Sequence, residues 1–159
     1  MSGSARRRPS HQIGRDEVSN WLVDSIVRRV TYHTTTFEAV RDILEHGVDI
    51  ERSRSGAYGH GFYTATESDP FFGPATVEVA IRLSHPLVGP ANEVEAIVDA
   101  IARRNRPRDS GLSQHGSRAV RRELLDLGYD GIVIYDAGGD GVDYVVALDA
   151  TTVRIVVDP

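Results

Sequence analysis

The sequence predicts an α+β domain built on mainly antiparallel sheets with short flanking helices. Two observations predict it. Segments with period-2 alternation or short β-branched runs outnumber segments with helical spacing, and the two kinds do not alternate in the regular order that a doubly wound fold requires. The 159 residues, 40% hydrophobic and 26% charged, suffice for one packed core and would be cramped for two.

Each element follows from local chemistry. Residues 1–14 carry Ser, Gly, Pro and consecutive arginines, too little apolar area to pack, and are expected to be a disordered leader before a single domain over 15–159. Val18, Trp21, Leu22, Ile26 and Val30 fall at helical spacing, with acids at the start and Arg28 and Arg29 at the end, so a first helix is expected there. Residues 30–33 read as a strand. Thr36 is the expected N-cap of a second helix, whose apolar face is Phe37, Val40, Ile43 and Leu44 and whose stop is Gly47. The Ser-, Gly- and Arg-rich stretch 52–60 predicts a loop, and 61–65 a strand. Val77, Val79, Ile81 and Leu83 alternate with polar or small residues, giving a half-buried strand that ends before Pro86. Residues 92–105 have helical spacing, 103–116 form a charged linker, and Ser117 is expected to cap a helix that ends at Gly128. Strands are expected over 131–135 and 143–148, joined by the Gly-rich turn 137–142, with a last strand at 152–157.

Composition narrows the function. The net charge is −5, so no global field draws the chain toward phosphate backbones or anionic lipid. All eighteen basic residues are Arg. Cysteine is absent, which removes disulfides, thiolate nucleophiles and Cys-based metal sites. His46, His60, His85 and His115 make no helical pair, so no metal is expected. The arginines within 103–108 and 118–122 lack interleaved aromatics and read as a solvated face. No run approaches the roughly 18 apolar residues of a membrane span, and a cytoplasmic location is expected.

Three segments carry the candidate chemistry: Thr31-Tyr32-His33-Thr34-Thr35, Gly59-His60-Gly61-Phe62-Tyr63-Thr64-Ala65, and Gly128-Tyr129-Asp130-Gly131 followed by Asp143-Tyr144-Val145-Val146. In this order they resemble the ADP-ribosyltransferase superfamily, in its diphtheria-toxin-like His-Tyr-Glu branch and most closely the compact phage polyvalent-protein and bacterial toxin-like members. The resemblance spans residues 32–156 and implies split sheets around a cleft that takes NAD+ as cosubstrate. It implies that His33 hydrogen-bonds the nicotinamide ribose and that Tyr63, preceded by Gly59 and Gly61, stacks on nicotinamide. Thr34 stands where the family usually has Gly, and its backbone is expected to hold the nicotinamide amide, with Thr35 and Gly61 nearby. Asp143 stands in the place of the catalytic Glu, one methylene shorter. Arg52 and Arg54 are expected to meet the pyrophosphate through charge-assisted hydrogen bonds, and Tyr58 to cover the pocket.

The chemistry is compatible with these groups. Nicotinamide leaving a ribose needs an aromatic platform, hydroxyl-binding groups and a carboxylate, but neither a metal nor a covalent nucleophile. Taken singly, each residue has a plainer reading: His33 as a structural strand-end histidine, Tyr63 as a core aromatic, Asp143 as a turn acid. Only their joint order favours the site. The expected activity is transfer of ADP-ribose to a protein, nucleic-acid or small-molecule acceptor. The alternatives are a weak or inactive NAD-binding module, an NAD glycohydrolase, or an interaction protein that docks an antitoxin or immunity partner.

Overall fold

The structure is a computed structural model that describes residues 7–52, 55–105, 114–137 and 139–158. Its elements, in chain order, are β1 (Gln12–Gly14), α1 (Val18–Trp21), β2 (Thr31–Thr35), α2 (Phe37–His46), β3 (Ser55–Gly56), β4 (Gly59–His60), β5 (Phe62–Ala65) and β6 (Ala75–Ile81). There follow β7 (Pro86–Pro90), α3 (Ala91–Asn105), α4 (Gln114–Asp126), β8 (Gly131–Tyr135), β9 (Tyr144–Ala147) and β10 (Val153–Val157). Eight strands form one sheet in the order β1-β10-β6-β2-β5-β9-β8-β7, and β3 and β4 pair separately as a small hairpin. The fold is mixed helix and sheet, and the large sheet is mostly antiparallel. Only its outermost pairs, β1 with β10 and β7 with β8, run parallel.

The sheet separates two apolar layers because successive strand residues point to opposite faces. Val77, Val79, Ile81, Phe62, Val145 and Ala147 pack on one side with Ile50 beneath α2. Val146, Ile132, Ile134 and Leu148 pack on the other against Val94, Val98 and Ile101 of α3 and Val120 and Leu124 of α4. Fully burying one such side chain contributes about 1.5–3 kcal/mol, so these layers dominate the favourable side of folding.

Local signals fixed several boundaries. The Thr36 side chain accepts from Ala39 N–H at 3.1 Å, and Gly47, with φ +83°, ends α2. At the end of α4, Gly128 has φ +93°, its N–H donates to Leu125 O at 3.0 Å and Tyr129 N–H donates to Leu124 O at 3.0 Å. This pair of bonds is the Schellman motif, which requires the left-handed residue that glycine supplies.

Four expectations are corrected, and one edge strand, β7, is added to those expected. Residues 12–14, assigned to the leader, form β1 against β10, because Ile13 finds a buried slot beside Val18, Leu22, Ala80 and Val156 that average composition conceals. The first helix stops after Trp21. Ser25 Oγ accepts from Leu83 N–H at 3.0 Å and donates to Ile81 O, and Ile26 N–H donates to Leu83 O at 2.9 Å, so the chain leaves the helix to satisfy the end of β6. The strand β7 lies between two prolines, tolerable because it is the edge of the sheet. Ser117 is a buried residue inside α4 rather than its cap, since the helix already begins at Gln114. Within the stretch 52–60 expected to be a loop, β3 and β4 form their hairpin. No helix among the described residues is long and apolar enough to cross a membrane.

Candidate functional site

The large sheet opens between β2 and β5. These strands are joined by one register pair, Tyr32 with Ala65, whereas β2 pairs with β6 along all five of its residues and β5 pairs with β9 along all four. Beyond the single pair the strands part, and a cleft of about 960 Å³ lies in the gap. That volume is at the upper end of the roughly 300–1,000 Å³ of ligand pockets. Its walls include His33, Thr34 and Thr35 from β2 and Gly61 and Tyr63 from the β5 side, with Tyr58 and Arg52 from the preceding loop.

His33 reaches across the opening. Its register partner Val77 belongs to the first apolar layer, and its ring lies on that of Phe62 with centroids 4.4 Å apart and planes tilted by 30°. Nδ1 lies 2.7 Å from the main-chain oxygen of Tyr63. A carbonyl only accepts, so Nδ1 carries the proton, and a neutral ring then presents Nε2 as an acceptor. Burial lowers the imidazole pKa below its ordinary value, and the bond to Tyr63 only partly opposes this. The ring is therefore neutral at pH 7.

Tyr63 occupies the opposite layer, beside Val146, its partner on β9. Its hydroxyl donates to Gly59 O and accepts from Tyr58 N–H at 3.0 Å, so the phenol clasps the β3–β4 hairpin. Burial raises its pKa well above the ordinary value. The fit is close: a Cβ on Gly56 would lie 2.4 Å from the ring carbon that bears the hydroxyl. His33 and Tyr63 thus issue from opposite faces of the sheet yet line one hollow, because the strands between them have separated.

Asp143 stands apart. Its flanking residues Val142 and Tyr144 line the cleft, but Asp143 is not among the lining residues. Its Oδ1 accepts from Asp136 N–H at 2.9 Å and its own N–H donates to Thr66 Oγ1 at 3.0 Å, which places it as a brace of the β8–β9 turn. Oδ2 makes no hydrogen bond among the described residues. Of the two arginines expected at the pyrophosphate, Arg52 lines the cleft with an exposed side chain 3.4 Å from Asp49, and Arg54 lies outside the described residues. Thr34 also meets Thr76, Oγ1 to Oγ1 at 3.2 Å.

The Gly128-Tyr129-Asp130-Gly131 turn does not contribute to the cleft. Asp130 instead accepts from Ser84 N–H at 2.7 Å and His85 N–H at 3.1 Å, tying the β6–β7 connection to the start of β8. Glu67, which none of the motifs singles out, lines the cleft, as do Asp42, Asp49 and Asp69. Its place four residues after Tyr63, just past the end of β5, is the signal that could have marked it.

No protein-family model matches the chain, and no curated protein matches it. Among solved structures the chain is similar to the "Crystal structure of an anti-CRISPR protein" at 16% identity and a TM-score of 0.41, a match that covers 80% of this chain and 94% of that one.

Proposed function

We propose that the cleft binds NAD+ and that the protein is a mono-ADP-ribosyltransferase. The observation that carries this reading is the parting of β2 from β5, which brings a neutral imidazole and a tyrosine ring to the walls of one cleft of about 960 Å³. In this reading Nε2 of His33 accepts a hydrogen bond from a ribose hydroxyl, the backbone of Thr34 and Thr35 holds the carboxamide, and the Tyr63 ring supports nicotinamide. Arg52 pairs with the pyrophosphate. The bond between the ribose anomeric carbon and the nicotinamide nitrogen breaks, its electrons leave with nicotinamide, and an acceptor nucleophile takes the ribosyl carbon. Asp143 does not line the cleft, so in this reading its Oδ2 turns toward the transient cation on substrate binding while Oδ1 stays on Asp136 N–H.

A second reading is an NAD+-binding module without turnover. It is favoured by the position of Asp143, which braces a turn and does not line the cleft. Calorimetry with NAD+ and an assay of nicotinamide release separate the two. Binding with release supports the transferase, binding without release supports the module, and absence of binding overturns both.

A further inference from the structure

We infer that the β5–β6 loop is a docking ridge for the acceptor and that this acceptor is an arginine-bearing protein segment. The inference rests on the transferase reading above and names its substrate class. Phe71 is 87% exposed and Phe72 55% exposed, the two rings meeting edge to face at 5.4 Å. Two adjacent aromatic side chains left in water are unusual unless something covers them. They sit at the cleft, since Phe72 lines it together with Glu67, Ser68 and Asp69 of the same loop.

The loop is built to hold them there. Asp69 accepts from Phe71 N–H at 2.9 Å, Pro70 presets the first turn, and Gly73 N–H donates to Pro70 O at 3.2 Å. Gly73 has φ +147° and lies so close to the end of β2 that a Cβ there would be 2.3 Å from Thr35 O. The ridge is thereby pressed against the strand that carries His33. A rigid aromatic anchor loses little conformational entropy on binding, which is the property of an interface hot spot.

Charge selects the occupant. Glu67 and Asp69 flank the ridge and Glu67 has no ion-pair partner among the described residues, whereas Asp42 is paired with His46 at 3.0 Å and Arg52, the arginine that lines the cleft, lies 3.4 Å from Asp49. Arg29 reaches this loop, donating to Thr66 O at 2.9 Å, but it does not line the cleft. An acidic rim repels nucleic acid and attracts a basic segment. Arginine satisfies both cues, because its guanidinium stacks on aromatic rings and pairs with carboxylates.

The test uses a short fluorescein-labelled peptide of alternating arginine and leucine, with binding read by anisotropy in the absence of NAD+. Wild type is expected to bind, and a Phe71→Ser, Phe72→Ser double variant to bind roughly tenfold more weakly. A Glu67→Gln, Asp69→Asn variant, which keeps the loop cap, is expected to bind more weakly and with a flatter salt dependence. Calorimetry with NAD+ is expected to give the same affinity for a Phe71→Ser single variant as for wild type, because Phe71 does not line the cleft. The inference is overturned if wild type does not bind the peptide or if the double variant binds it equally well. It is also overturned if the ridge instead binds a single-stranded RNA oligonucleotide, or mediates self-association that Phe71→Ser abolishes in sedimentation. Peptide binding by a protein that ignores NAD+ would instead count against the transferase reading alone.

Discussion

The imidazole of His33 donates from Nδ1 to the main-chain oxygen of Tyr63 at 2.7 Å, across the opening where β2 and β5 share only the pair Tyr32–Ala65. In a closed sheet a carbonyl of β5 would accept from a backbone N–H of β2. Here a side chain does so, and the gap stays open while the acceptor is still satisfied. One hydrogen bond therefore joins structure to site: it steadies the parted strands and fixes Nε2 as an acceptor toward the cleft.

The protonation of His33 gives a pH prediction. Burial lowers its folded-state pKa below the ordinary 6.5, so between the two values the unfolded chain binds more protons and stability rises with pH. The stability held by the neutral ring is complete above the unfolded value and declines as pH falls toward the folded one. Urea denaturation across pH 8 to 5 (about the range in which histidine titrates) should show wild type losing stability more steeply than His33→Gln. Parallel slopes would refute the assignment. NAD+ affinity should stay flat from neutral pH down to the unfolded value, because the ring remains neutral throughout.

Asp143 gives a second prediction, in which two substitutions separate charge from bracing. Asn retains an oxygen for Asp136 N–H, so Asp143→Asn should fold with near-wild-type stability. If Oδ2 carries the transition-state charge, nicotinamide release should still fall by about 100- to 1,000-fold, the usual cost of removing one such group. Asp143→Ala should lose the same activity and also about 0.5–1.5 kcal/mol in chemical denaturation, the net worth of one hydrogen bond at an exposed site. Full activity in Asp143→Asn would exclude the carboxylate from the chemistry.

How much of this was legible in the sequence depends on the range of the interaction. The helix α2 could be read because its stripe, its Thr36 cap and its Gly47 stop lie within a dozen residues, and the Gly128 stop of α4 is equally local. The segment after Trp21 has the same kind of spacing but unwinds, because Ser25 and Ile26 bond to a strand far away in sequence. His33 and Tyr63 were singled out by their motifs, and both line the cleft. The parting of their strands was not, since no residue pattern announces a ladder that is absent. The acids lining the cleft were equally hidden, because their gathering depends on where α2 and the β5–β6 loop come to rest. Asp143 and Asp130 show the converse, as both spend carboxylate oxygens on backbone N–H groups, a role that a motif cannot distinguish from catalysis.

Gly56 supplies a third prediction. Gly56→Ala places a methyl group 2.4 Å from the Tyr63 ring, so the ring or the hairpin must shift. Overpacking of this kind costs about 1–3 kcal/mol, measurable as a lower denaturation midpoint. NAD+ binding should weaken in the same variant although Gly56 offers no side chain to the ligand. An unchanged affinity would show that the Tyr63 ring is free to move without consequence for the cleft.

Tyr63 itself allows the ring and the hydroxyl to be weighed apart. Tyr63→Phe keeps the aromatic platform but strands Tyr58 N–H and Gly59 O, which the hydroxyl serves together. Loss of these bonds should destabilise the protein by about 1–3 kcal/mol, with faster hydrogen exchange at the Tyr58 amide. NAD+ affinity at a temperature where both proteins are folded should fall little, because stacking needs only the ring. Tyr63→Leu should lose affinity by roughly tenfold, the scale of an aromatic contact worth about 0.5–1.5 kcal/mol beyond its buried area. If Phe and Leu prove equivalent for NAD+ while both loosen the hairpin, Tyr63 is a clasp for residues 55–60 and no platform for nicotinamide.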